Sequence, residues 1–525
     1  MNSIMEAHSS KNFRRIPVWV LISIPALVMR LPLLFLPNPG RDEAAYFYWS
    51  HFPEPAYALA MQAVVAISRQ LPIPALIAMR LPSLMMGILV LFLFDQILRI
   101  RGAKRKTRWI GLAVLAFCPW QGNFGVILNP DNFLFASMLL WLIAFSKRQY
   151  FLVILSATLA LYAKPIGLLI VPPTIFLLFT GPNLNKQKMS GYFSVLLILI
   201  LPNLLSLRIE MIQSFFEFGQ LDEKESWFGL ISIQLLLLLA AGGPLLLYYS
   251  VRGLLERIQK RMSNPPEGKA ALFLSLFMLL VFGGALIFNN QVKYNWLLPV
   301  LFILWPKQPV KIYRPVLIGG LILTIVPGIL QNFLKSNPHI ISETEGKFPL
   351  IKSSFVLREG KRDFKISMSK SWSEHVLEYQ SMDDFCNGVI QFWQNEKNTK
   401  KLPSFIISDD YGLTAQLLFN LRSIQTRMVL PGDGIFNRGI PNIDEIKLSN
   451  DVMILAVKNE ENKTIDLLHS IATKKTLSHP VNNKPVWVGV SKGIMMTASE
   501  QEQSLFMVLD RYLLSLFPQS TFCIE

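Results

Sequence analysis

Between residues 17 and 334 the chain is a succession of apolar runs, too long and too closely spaced for a water-soluble core. A helix needs about 20 apolar residues to cross roughly 30 Å of hydrocarbon. In lipid every backbone N–H and C=O must be paired within the protein, so such runs are helices. They fall near 17–37, 73–98, 109–121, 130–146, 150–164, 165–180, 191–207, 229–250, 270–289, 296–306 and 315–334. The expectation is a multispanning α-helical membrane protein of about eleven spans. Composition agrees, because charged residues are only 16% of the 525 and soluble domains run nearer a quarter. The first run is long and lacks a small-residue cleavage site, so it reads as a retained helix rather than a signal peptide.

The basic residues set the orientation. The net charge of +16 would suit nucleic acid, but the cations cluster in alternate gaps between apolar runs. Arg14 and Arg15 form one such group; Arg99, Arg101, Lys104, Arg105, Lys106 and Arg108 form the next. Lys147 and Arg148, Lys186 and Lys188, Arg252 to Arg261, and Lys307 to Arg314 continue the series. Positive loops stay inside, so the N-terminus is expected in the cytoplasm and the loop 38–72 on the outer face. In that loop Tyr46, Phe47, Tyr48 and Trp49 suit the membrane interface, and Ala56 to Ile67 reads as a helix lying on it. The gap from Arg208 to Phe228 is a second outer loop, rich in acidic residues.

After about residue 335 charges and turn residues become dense. Residues 336–525 are therefore expected to form an extracytoplasmic α/β domain. FIISDD, RMVLP, VMILAV and VWVGV read as strands; MDDFCNGVIQFWQN and LTAQLLFNL read as helices. The three cysteines, Cys118, Cys386 and Cys523, have no metal-ligand spacing. Cys386 and Cys523 share the outer compartment, and whether they form a disulfide is left open by their sequence separation.

Chemistry points to the outer face. Asp42 and Glu43, in GRDEAAYFYW, are carboxylates at the mouth of the first outer loop. Asp131, in ILNPDNF, opens a helix from the next one. Helix capping would account for each alone, since acids favour a helix N-terminus. Ionised groups near hydrocarbon are costly, however, and two at one depth suggest a cavity where a hydroxyl is deprotonated. Arg80 in AMRLPS, Lys164 in YAKPIG and Lys293 in VKYNW supply cations suited to a lipid-linked phosphate. Snorkelling is the ordinary alternative for Lys164. Arg30 and Arg208 are weaker candidates of the same kind. No HExxH, Gly-rich phosphate loop or Cys/His cluster is present.

These strings, in their order, resemble the polyprenyl-phosphate-dependent GT-C glycosyltransferases. The likeness is to the bacterial branch related to protein O-mannosyltransferases and the lipid A aminoarabinose transferase. GRDEAAYFYW is similar to the family's first-loop acidic motif, and RLPSLMMGILVLFLFDQILRIRG to its second span. NPDNFLFASMLLWL, YAKPIGLLIVPP, VKYNWLLPV and ISDDYGLTAQLLFNL match further segments in turn. The resemblance implies transfer of a sugar from a polyprenyl phosphate to a hydroxyl of a glycolipid, glycan or protein at the outer face, with inversion. Asp42 would be the base, Glu43 its neighbour and Asp131 a second acid bounding the site. Lys164, Arg80 and Lys293 would contact the donor phosphate. Family members often carry a basic residue before two prolines in the surface helix. Here FPEPAYALA offers Glu54 instead, with His51 nearby. Some members bind a divalent cation and others do not, so no cofactor is assigned. A transporter or flippase for a lipid-linked sugar would share the helices and the buried charges. It would ordinarily show internal repeats, which are not apparent here.

Overall fold

The computed structural model describes residues 16–36, 38–51, 58–180, 186–206, 227–259, 266–287, 296–307, 312–337, 340, 354–359, 362–367, 382–403, 405–408, 411–421, 427–429, 452–457, 471–478 and 485–491. Helix α1 (Val18–Phe35) is followed by two short helices, α2 (Arg41–Trp49) and α3 (Leu59–Ser68). Then come α4 (Ala75–Ile100), α5 (Arg105–Phe117), α6 (Pro119–Phe124), α7 (Pro130–Ser146) and α8 (Tyr150–Ala163). A 3-10 turn (Pro165–Ile170) leads into α9 (Val171–Thr180), α10 (Lys186–Ser206), α11 (Trp227–Gly242) and α12 (Pro244–Gln259). Helices α13 (Pro266–Ile287), α14 (Leu298–Ile303) and α15 (Arg314–Ser336) complete the apolar part.

Local chemistry sets these boundaries. Asn129 caps α7 by accepting the Asp131 backbone N–H at 2.8 Å, with Pro130 in the first turn. Helices α5 and α8 stop at the residue before Pro119 and Pro165, where proline sterics push the chain to extended geometry. The run 229–250, expected as one span, is two helices bent by 108° at Gly243. Gly243 has φ +80°, and a Cβ there would meet the Thr324 hydroxyl at 2.1 Å, so only glycine makes this corner. The run 296–306 yields only the six-residue α14.

Among the described residues α1, α4 and α15 are long and apolar enough to cross a membrane, with the bent pair α11–α12 as a fourth candidate. Six shorter apolar helices pack around them. The bundle's interior holds Phe94, Trp120, Phe135, Phe302 and Trp305, the last stacked on Tyr249 at 4.4 Å. Helix α15 leaves Ile318, Ile322, Val326, Ile329 and Phe333 exposed. A stripe of that size is stable only when lipid or protein covers it.

The tail carries a hairpin of β1 (Ser354–Glu359) and β2 (Arg362–Ser367). Helix α16 (Asp383–Lys397) precedes β3 (Phe405–Ser408), α17 (Tyr411–Asn420), β4 (Arg427–Val429), β5 (Val452–Val457), β6 (Ile471–Ser478) and β7 (Pro485–Ser491). Five strands form one sheet in the order β4-β3-β5-β7-β6. Strand β3 runs parallel to β4 and β5, while β7 is antiparallel to β5 and β6. Helix α16 packs on β6 and β7, and α17 on β3 and β4. The hairpin and β6 were not expected from the sequence. Cys386 is buried on α16, and Cys523 lies outside the described residues.

Candidate active site

The short helix α2 is set down against the bundle by its third residue. Gly40 caps it in extended geometry, and Asp42 and Glu43 occupy the first turn, where carboxylates favour the dipole. Their side chains diverge. Glu43 points inward, 2% exposed, and meets Arg80 of α4 in a bidentate pair, Nε to Oε1 at 2.8 Å and Nη2 to Oε2 at 2.7 Å. Arg80 is itself sealed at 0% exposure, and its Nη1 donates to the Leu33 and Leu36 carbonyls at 2.7 and 3.1 Å. A planar guanidinium suits this fork, and a buried charge demands such a partner. Arg80, expected at the donor phosphate, is thus committed to Glu43 and to the end of α1. Glu43, expected beside the base as part of the chemistry, is an anchor.

Asp42 is exposed on the outer end of the same turn. The turn that carries it is pinned by Glu43. The second oxygen contact of Glu43 extends the site: the Leu128 backbone N–H donates to Oε1 at 3.1 Å. Ser83, buried one helical turn beyond Arg80, accepts from the Asn129 N–H at 3.4 Å. Helix α4 therefore ties α2 to the turn before α7. Asp131 follows Leu128 by three residues, which limits their Cα separation to about 10 Å. The sequence reading missed Ser83 and Leu128. The spacing of Arg80 and Ser83 in RLPS puts both on one helical face, the signal that was available.

Asp131 is buried, and Lys164 donates from Nζ to its Oδ1 at 2.5 Å. Lys164 stands at the extended C-cap of α8, 7% exposed, with its ammonium 5.9 Å from the Trp296 ring. A carboxylate and an aromatic face flank the buried ammonium. The structure thus joins two of the expected residues into one pair. Lys293 and Arg208 lie outside the described residues, as does Glu54. Arg30 is buried and donates to the Ala116 and Gln121 carbonyls at 2.8 and 3.0 Å, so it closes the end of α5 rather than facing a ligand.

Behind α2, His51 Nδ1 lies 3.1 Å from the Phe47 carbonyl, and Arg69 donates to the Ser50 carbonyl at 2.7 Å. Burial, then the neighbouring Arg69 charge, lowers the His51 pKa to about 4, so the ring is neutral at ordinary pH. Among the described residues no three His, Cys, Asp or Glu side chains converge as a metal would require.

The fold is shared with a solved structure. The crystal structure of ArnT from Cupriavidus metallidurans in the apo state matches with a TM-score of 0.50, at 12% identity. The match covers 90% of this chain and 98% of that one. The structure of ArnT from the same organism bound to undecaprenyl phosphate gives 0.49 at 13% identity, covering 92% and 99%. At such identity the likeness is one of fold. No family model matches the chain, and no curated protein does.

Proposed function

We propose that this chain is an integral membrane glycosyltransferase that takes a sugar from a polyprenyl-phosphate donor. The acceptor is a hydroxyl on a cell-envelope glycolipid, glycan or protein at the outer face of the inner membrane. The observation that carries this reading is the pair of anchored turns. Asp42 is presented to solvent by a turn locked through Glu43 to Arg80, beside a loop that leads into the buried Asp131–Lys164 pair. The fold shared with apo ArnT and the resemblance of the sequence strings to the polyprenyl-phosphate-dependent GT-C enzymes support it.

The chemistry asks little more of the protein. A sugar–phosphate bond is already activated, because the lipid phosphate is a good leaving group. Asp42 deprotonates the acceptor, and attack opposite the phosphate inverts the anomeric centre. One base suffices, since a covalent intermediate would need a second carboxylate close to the first. Lys164, buried beside Asp131, exchanges part of that contact for the departing phosphate. Arg80 and Glu43 act by position, holding α2 rigid so that the base is preorganised. In this reading the N-terminus is cytoplasmic, about eleven segments cross or enter the membrane, and residues 336–525 stand outside it.

The test is sugar transfer by purified protein in nanodiscs from a synthetic polyprenyl-phosphate sugar. It is paired with mass spectrometry of surface glycolipids and glycoproteins from cells with and without the gene. A missing sugar on one acceptor class identifies the acceptor. Unchanged glycans together with donor movement between leaflets would replace this reading with a flippase.

A further inference from the structure

Helix α17, in the tail, lies directly against α2, the helix that carries Asp42. One face of α17, at positions 412, 416 and 419, makes the contact, the i, i+4, i+7 spacing of a helical stripe. Gly412 faces Arg41: a Cβ at 412 would meet Arg41 Nε at 2.0 Å, Cβ at 2.7 Å and Cγ at 2.8 Å. The missing side chain is what lets the two helices touch. One turn on, Gln416 is 2% exposed, and its Nε2 donates to the Pro39 carbonyl at 2.9 Å, just before the cap of α2. At the far end Phe419 sets its ring edge-to-face on Phe47, with centroids 5.1 Å apart. The contacts therefore take hold before the cap of α2, at its first residue and near its last turn.

Helix α2 is thus held from two sides. Glu43 ties it down to Arg80 in the bundle, and α17 grips it through Pro39, Arg41 and Phe47. Asp42 sits between the two anchors. A nine-residue helix is too short to keep its own geometry in water. Its rigidity has to come from tertiary contacts, and the second set comes from a segment more than 360 residues away in sequence.

We infer that α17 is a positioning element for Asp42: Gly412, Gln416 and Phe419 set the tilt of α2 and so the aim of its carboxylate. This rests on the reading of Asp42 as the base. The tail is then part of the active enzyme rather than a separate module beside it, and displacing α17 lowers turnover without removing any group that touches substrate.

The experiment uses the full-length protein in nanodiscs with the same polyprenyl-phosphate sugar donor. Gly412→Ala places one methyl group against Arg41, and displacements of about 1 Å at a reacting group cost up to a hundredfold in rate. The expected result is a kcat loss of roughly tenfold or more per folded molecule, with donor KM within about twofold. Arg41→Gly removes the atoms that the new methyl meets. The double variant Arg41→Gly with Gly412→Ala is therefore expected to recover the kcat of Arg41→Gly alone. Gln416→Leu, which deletes the bond to Pro39 without crowding, should lower kcat in the same direction. Wild-type kcat in both Gly412→Ala and Gln416→Leu overturns the proposal, as does a loss in Gly412→Ala that Arg41→Gly fails to repair. If the wild-type protein itself transfers no sugar, the functional reading fails instead, and the two failures are distinguishable.

Discussion

The two ends of the helix bundle both bury charge, and they do so in different ways. At the end carrying the positive loops, Asp95 is gripped by Arg108 through both oxygens, at 2.7 and 2.8 Å, and by Arg99 at 2.9 Å. Nearby, Arg101 and Arg257 donate to carbonyls of residues 303–305, which are the open C-terminal end of α14. Guanidinium groups are well placed there, because a helix C-terminus is electronegative and its last carbonyls lack partners. At the opposite end of α4 Arg80 pairs with Glu43, and nearby Lys164 pairs with Asp131. A further carboxylate, Asp42, is left at the surface. The comparison teaches that a buried charge near a membrane does not by itself mark a site. What distinguishes the end at Arg80 is an accessible acid, Asp42, beside a locked one, and an ammonium alongside the guanidinium fork.

The sharpest way to break the comparison is Asp42→Asn. It keeps the shape and the helix N-terminal position while removing the base, so turnover should fall by about 10²–10⁴ with the fold intact. The measurement is transfer rate in nanodiscs against thermal midpoint. Turnover near wild type would mean that the exposed Asp42 is as structural as the buried Asp95.

Next come the anchors themselves. Arg80→Met strands Glu43 in a buried site, and removing one partner of such a pair costs about 3–5 kcal/mol. Arg108→Met should cost less, because Asp95 keeps Arg99 and Arg108 is partly exposed. Thermal midpoints compare the two. The informative quantity is activity per folded molecule: it should collapse in Arg80→Met and remain near wild type in Arg108→Met. Equal retention in both would remove the positioning role assigned to Glu43 and Arg80.

Much of this was legible in the sequence and some could not be. Helix α7 begins and ends where the residues say it should, at Asn129-Pro130 and at Lys147, because capping and charge are local signals. The break at Gly243 is marked in the sequence by GGP, but it lies in a leucine-rich run whose hydropathy is that of one continuous span. Strand β6, IATKKTLS, was missed because its lysines interrupt the apolar alternation that marks a strand. At the site, acid and base types were found but not their pairing. Glu43 and Arg80 are 37 residues apart, and which cation meets which acid depends on how α2 lands on α4. The sequence offers Arg80 as a phosphate contact, whereas in the fold its Nε, Nη1 and Nη2 donate to Glu43 and to the end of α1.

Lys164→Met sharpens the comparison at the level of binding. Methionine keeps the apolar stem and deletes the charge, so donor KM should rise by about ten- to a hundredfold, the worth of one charge-assisted bond. Acceptor KM should change much less. Titrating each substrate at saturation of the other gives both values. Unchanged donor dependence would make the Lys164–Asp131 pair an internal tie, like Asp95–Arg108.

The smallest effect belongs to His51, which packs against Phe47 near Arg69 and whose pKa is lowered to about 4. Its ordinary value is 6.5, so between those two pH values the unfolded chain binds a proton that the folded one does not. Stability is therefore highest above pH 6.5, falls as pH drops towards 4, and loses nothing further below that. A shift of this size corresponds to a ceiling of about 3 kcal/mol, and partial exposure of the ring reduces it to the order of 1 kcal/mol. His51→Gln removes the titrating group, so its thermal midpoint should be flatter than wild type across this window and equal to it at pH 8. Because His51 lies four residues from Phe47, on which α17 rests, protonation should also loosen that end of α2. Turnover at pH 5 relative to pH 7 would then fall less in His51→Gln than in wild type. Identical pH profiles for the two proteins would show that the histidine is solvated and uncoupled from the helix that carries the base.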